Sequence, residues 1–167
     1  AAASASPNAV ATNALAAGTR LCGSPSPSPL ASSTASQPRA SVLVTGVKRD
    51  ILLLDRVDAA AGDELTVLDI SLQTNAAELR RLLQQGARCR YFDHHAPGEI
   101  PRHANLKTFI ETAPDICTSL IVDRYLSGRQ RIWAVVAAFG DNLVKSALRT
   151  AEHLELDPVV VGRLREL

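Results

Sequence analysis

The sequence predicts an α/β domain: a largely parallel sheet with flanking helices. Three observations predict it. Short β-branched runs end abruptly at Gly, Asp or His. Segments with apolar residues at helical spacing lie between those runs. The intervals between them are short, as in chains where strand and helix alternate. The length of 167 residues suffices for one domain with a real core. Apolar residues at 46% and charged residues at 21% are ordinary for a globular chain.

Residues 1–40 stand apart. About three-quarters of them are Ala, Ser, Pro, Thr or Gly, a composition that buries too little surface to offset chain entropy. The run from Ser24 to Pro29 alternates Ser and Pro and reads as polyproline II or coil. No acid precedes Asp50 and no histidine precedes His94. Residues 1–40 are therefore expected to be disordered or foreign to the domain. A solvated tail, a transit-like peptide and an off-frame or misjoined stretch all fit. The domain is expected to occupy residues 41–167 and to be incomplete at its amino terminus.

From Ser41 the elements follow in order. Ser41–Gly46 is a β-branched run stopped by Gly, expected as a buried strand. Asp50–Val57 suits a short helix. Gly62 and Asp63 mark a turn before a second buried strand, Leu65–Ile70. Ala76, Leu79, Leu82 and Leu83 give Asn75–Gln85 a helical stripe, and Gly86 ends it as a C-cap. Arg88–Phe92 is a third strand and Lys107–Glu111 a fourth. Ile116–Leu126 suits a helix capped by Asp115 or Thr118. Ile132–Phe139 is densely apolar, and its alanines favour a buried helix over a strand. Asn142–Leu154 is helical, and Pro158 suits the first turn of a last helix.

A net charge of +1 provides no bulk attraction for nucleic acid or membrane. Arg80, Arg81, Arg88 and Arg90 are basic but lack interleaved aromatics beyond Tyr91 and Phe92. Arg80 and Arg81 read as a solvated helix face. The apolar runs are too short to span a bilayer, so no membrane partner is expected. Cys22, Cys89 and Cys117 are odd in number and form no CxxC pair. A disulfide framework is not expected, and a cytoplasmic location is. The chain has no initiator Met and no charged leader before an apolar run. This argues for a fragment or processed chain rather than one carrying an intact secretory signal.

In parallel sheets, sites collect beyond the carboxyl ends of strands. Ligand-type residues stand at such ends here. Asp69 closes Val67-Leu68-Asp69. Asp93, His94 and His95 follow Phe92 at the end of the third strand. Asp141 follows the apolar run in Phe139-Gly140-Asp141-Asn142. Neighbouring strands lie about 4.8 Å apart, so these side chains can converge on one ion. Mixed carboxylate and imidazole donors suit Mn²⁺, Fe²⁺ or Zn²⁺. A carboxylate beside a histidine can also orient it. Taken singly, Asp69 and Asp141 read as turn or cap residues. His103 and His153 are isolated and read as surface residues.

These three motifs, in this order and spacing on an α/β pattern, resemble the DHH phosphoesterase family, named for the tripeptide at 93–95. The family includes RecJ-type exonucleases, nano-RNases, cyclic-dinucleotide phosphodiesterases, exopolyphosphatases and family II inorganic pyrophosphatases. The resemblance covers roughly residues 41–157. It implies hydrolysis of phosphodiester or phosphoanhydride bonds, possible nucleotide or oligonucleotide substrates, and a two-metal site that usually holds Mn²⁺, with Mg²⁺ or other divalent ions as alternatives. By motif, Asp69 looks like the carboxylate bridging both metals, and His94 and Asp141 like ligands of one of them. His95 looks like a contact to substrate phosphate, and Asp93 like the partner that fixes the site. Asn142 stands where the family more often has Thr.

The family's first motif, His-x-x-x-Asp-x-Asp, has no counterpart before Asp50. Its first strand and helix are expected to be missing with it. The resemblance therefore implies an impaired phosphoesterase, or alternatively a non-catalytic metal- or nucleotide-binding module. No Gly-rich substrate motif of the family's second domain follows. The sequence leaves oligonucleotide, cyclic dinucleotide, polyphosphate and pyrophosphate open as substrates.

Overall fold

The computed structural model describes residues 8–12, 41–47 and 50–167. The strands are β1 (Asn8–Thr12), β2 (Ser41–Thr45), β3 (Glu64–Leu68), β4 (Arg88–Asp93) and β5 (Leu106–Ile110). They form one five-stranded sheet in the order β2-β1-β3-β4-β5, and every pair is parallel. The helices are α1 (Ala76–Gln84), α2 (Thr118–Tyr125), α3 (Arg131–Gly140), α4 (Val144–Glu152) and α5 (Pro158–Leu164). The α/β class read from the sequence is the class observed.

Alternation along the strands sets the two faces. Leu65 and Val67 of β3 and Cys89 and Tyr91 of β4 are buried together. Leu79, Leu82 and Leu83 of α1 cover them, with Leu53 and Leu54 of a short 3₁₀ turn (Leu53–Arg56). Burying each of these leucines stabilises the fold by roughly 1.5–3 kcal/mol. Phe92 has the opposite parity and faces the other side. There it stacks on Phe109 at 4.6 Å, and Tyr125 of α2 meets both rings edge-on. Behind α2 lies a second core, made by Cys117, Leu120, Val135, Ala138, Ala147 and Leu164 among others.

Local chemistry explains the helix ends. Gly86 has φ +92° and donates its N–H to the Leu83 carbonyl at 3.0 Å. A Cβ there would lie 2.9 Å from that of Ala61, so glycine is required both by conformation and by space. Asp157 caps α5, accepting the Val159 N–H at 2.7 Å with Pro158 in the first turn.

Four expectations are corrected. Residues 1–40 do not all lie outside the domain. Asn8–Thr12 forms β1, paired on one side with β2 and on the other with β3, so a first strand is present. Two neighbouring strands supply hydrogen bonds to a segment whose own composition signals little, because tertiary pairing overrides weak propensity. The remaining residues of 1–40 lie outside the described ones. Second, β2 is an edge strand rather than a buried one, with Val42 and Leu43 exposed. Third, the helix expected over Asp50–Val57 is only the 3₁₀ turn. Fourth, neither Asp115 nor Thr118 caps α2. Cys117 holds that position without a side-chain bond to the helix N–H groups, while Asp115 pairs with Arg149 at 3.0 Å.

Among the described residues, no helix is long and apolar enough to cross a membrane. His103 and His153 are exposed. Arg81 pairs with Glu78, and Arg88 and Arg90 with Glu64, so these cations are matched by acids of the same surface. Cys89 and Cys117 are free and buried. Burial pushes the Cys89 thiol up to about 12 from an ordinary 9.0, only partly opposed by the Arg90 charge. The unfolded chain releases this proton first, so stability is intact below pH 9 and falls as pH rises toward 12. Denaturant melts across that window are expected to lose up to about 4 kcal/mol from this group. Cys89→Ala should flatten the decline.

Candidate metal centre

The register of β3 and β4 pairs Leu68 with Phe92. The residues that follow, Asp69 on one strand and Asp93 to His95 on the other, therefore emerge side by side at the carboxyl edge of the sheet. Asp69 continues the ladder by donating its N–H to the Phe92 carbonyl at 3.0 Å. It then turns the chain with φ +60°. A non-glycine residue in that left-handed region costs on the order of 1–3 kcal/mol and persists where its surroundings hold it.

The surroundings do hold it. Tyr91 is fully buried and donates its hydroxyl to the Ile70 carbonyl at 2.9 Å. Buried Asn75 donates its side-chain amide to the carbonyls of Ile51 at 2.8 Å and Ser71 at 3.1 Å. The loop after Asp69 is thus tied down on both flanks.

Asp69, His94 and His95 each offer a ligand atom, and these atoms all lie within 4.8 Å of one another. Nε2 of His94 is 3.5 Å from Oδ1 of Asp69. Nδ1 of His94 lies 3.1 Å from the Ile116 carbonyl. A carbonyl only accepts, so Nδ1 carries the proton and Nε2 keeps its lone pair. Nδ1 of His95 lies 2.7 Å from Oδ1 of Asp93, which assigns the proton in the same way. The same Asp93 oxygen accepts the His94 backbone N–H at 2.9 Å. Both imidazoles are thus held by a group behind them, the arrangement typical of metal-ligating histidines.

Asp93 itself is fully buried, and its Oδ2 has no hydrogen-bond partner. Its position is set by β4, of which it is the last residue. Asp93→Ala is expected to lower divalent-ion affinity by about 10–100-fold, the usual effect of removing a group that orients a ligand. A competition titration with a metal indicator reads it.

Asp141 follows α3 and is exposed. It lines the same cavity as Asp69. It also lies near enough to Cys117 to add to the rise of that thiol, which burial chiefly causes. It is outside the group of three, so the structure brings together Asp69, His94 and His95 rather than Asp69, His94 and Asp141. The backbone N–H of Asp141 bonds to the Ala137 carbonyl at 3.0 Å, which keeps the residue on the end of α3. His95, two residues from buried Asp93, is drawn to the sheet edge instead.

By its place in the sequence Thr118 reads only as a cap residue. Its hydroxyl instead donates to Oδ1 of Asp69 at 2.7 Å. Together with the Ile116 carbonyl, it makes the start of α2 the back wall of the cluster. Forty-nine residues separate Thr118 from Asp69, and no local pattern in the sequence signals their meeting.

Comparison with protein-family models, with curated proteins and with solved structures gives no match for this chain.

Proposed function

We propose that this protein is a metal-dependent phosphoesterase domain of the DHH type, acting on phosphodiester or phosphoanhydride bonds, with Mn²⁺ as its ion. The observation that carries the reading is the cluster of Asp69, His94 and His95 at the carboxyl edge of a parallel sheet. The donor set fits such an ion. It has one carboxylate and two imidazoles, each imidazole with its Nδ1 engaged and its Nε2 lone pair left for the metal. Asp69 and His94 would hold the ion, with His95 able to ligate it or contact a phosphate oxygen. A bound divalent ion supplies charge neutralisation for a phosphoryl group and an acidified water. Thr118 fixes the carboxylate of Asp69, the Ile116 carbonyl fixes the His94 ring, and Asp93 fixes the His95 ring and the His94 backbone.

A second reading, a metal- or nucleotide-binding module without turnover, draws on the donor count. The cluster has three ligand side chains, enough for one ion, and no Asp, Glu or His precedes Asp50. One experiment separates the two. Mn²⁺ is titrated into the full chain by electron paramagnetic resonance, then hydrolysis of bis-p-nitrophenyl phosphate is followed. Bound Mn²⁺ with metal-dependent release of p-nitrophenol is the expected result. Bound Mn²⁺ with no release selects the module. No binding at all leaves Asp69 and the histidines as turn and surface residues and defeats both readings.

A further inference from the structure

A cavity of about 430 Å³ opens between α2 and α3, with Asp69 and Thr118 in its wall. Its volume is in the range of pockets that hold a small organic ligand, about 300–1,000 Å³. Most of its surface is apolar, contributed by Val122 and Leu126 of α2 and by Trp133, Val136 and Ala137 of α3. Trp133 is 46% exposed, an indole left uncovered on a wall of aliphatic side chains.

The charges in the lining decide what the cavity suits. Asp69 and Asp141 contribute open carboxylates, Asp123 is buried and matched by Arg131 at 3.1 Å, and Arg165 is the one cation of the lining among the described residues. A chain of phosphates needs several cations or N–H donors along its length, and this wall has the opposite sign. A planar uncharged ring needs an apolar slot and an aromatic face, which this wall has. Ser119 and Gln130 add hydrogen-bonding groups for hydroxyls and ring edges.

We propose that the cavity between α2 and α3 takes the nucleoside of a nucleotide ester, with the base on Trp133 and the phosphate at the Asp69–His94–His95 cluster. The position of the phosphate rests on the phosphoesterase reading; the position of the base does not. The cavity selects organic esters over pyrophosphate and polyphosphate, and Trp133 is its specificity-determining residue.

The chain has a single tryptophan, so its fluorescence reports on this cavity alone. Titration of the full chain with adenosine is expected to give saturable quenching, and pyrophosphate is expected to give none. Ala137→Phe, from an exposed position on the cavity wall, should weaken adenosine at least about tenfold by occupying the slot, in line with the stacking lost. Gly140→Leu is the second variant, because a Cβ there meets nothing within 4 Å. Circular dichroism checks that each variant folds. Absence of saturable quenching in the unaltered chain, or equal quenching in both folded variants, overturns the proposal. Mn²⁺ should tighten adenosine 5′-monophosphate but not adenosine. If adenosine binds and Mn²⁺ has no effect on the monophosphate, the base site stands and the phosphoesterase reading falls. If Mn²⁺ binds and adenosine does not, the reverse holds.

Discussion

Asp69→Asn is expected to weaken Mn²⁺ binding by more than about 100-fold while leaving thermal stability unchanged or slightly raised. The loss exceeds the 10–100-fold typical of a group that only orients a ligand, because here a charged ligand itself becomes neutral. The fold survives for a separate reason. Asp69 has φ +60°, and Asn is among the few residues with a side chain that tolerate this region well. Its amide oxygen can still accept from Thr118, which donates to Asp69 at 2.7 Å. Asp69→Ala removes both that acceptor and the tolerance, and should cost on the order of 1–2 kcal/mol in a denaturant melt. Isothermal titration with Mn²⁺ and a thermal melt of the same sample test the pair of effects. Undiminished Mn²⁺ binding by Asp69→Asn would return Asp69 to the role of a turn residue.

Tyr91→Ala is expected to cost about 3–5 kcal/mol, the usual range for deleting a buried aromatic ring. For a chain of this size that is on the order of 10 °C in Tm. Tyr91 is fully buried beside Leu65, Val67 and Leu79. Its hydroxyl, held 2.9 Å from the Ile70 carbonyl, ties the core to the residue after Asp69. Tyr91→Phe isolates that tie. It keeps the ring, leaves a carbonyl unpaired and should cost about 1–2 kcal/mol. Because the freed carbonyl adjoins Asp69, Tyr91→Phe should also lower Mn²⁺ affinity, whereas a core change toward the opposite end of the sheet, such as Leu83→Val at the end of α1 just before β4 begins, should lower stability alone. Chemical denaturation and metal titration of the three variants distinguish a tie from simple packing.

The parts of the fold legible in the sequence are those whose signal is local. Leu79, Leu82 and Leu83 repeat at helical spacing, and Gly86 marks the end of their helix, so α1 is readable from a dozen residues. Val67, Tyr91 and their neighbours carry enough β-branched and aromatic character to mark β3 and β4. The abrupt change to Asp69 and to Asp93-His94-His95 marks where those strands stop. β1 was not legible, because Ala9, Val10 and Ala11 sit in a stretch dominated by small residues. That strand exists through pairing with β2 and β3, which no local window contains.

The same division applies to the site. Residue type and periodicity, both local properties, already mark which residues could bind an ion and that several stand at strand ends. Long-range packing sets His95 rather than Asp141 beside Asp69 and His94. It alone placed Thr118 and the Ile116 carbonyl behind them, and opened an apolar cavity beside Asp69. Separation along the chain is the cause. The pairing of β3 with β4 joins Asp69 to the histidines, and α2, packed on β4 with α3 against it, supplies the rest. Such contacts depend on the summed burial of two cores and leave no trace in the spacing of neighbouring residues.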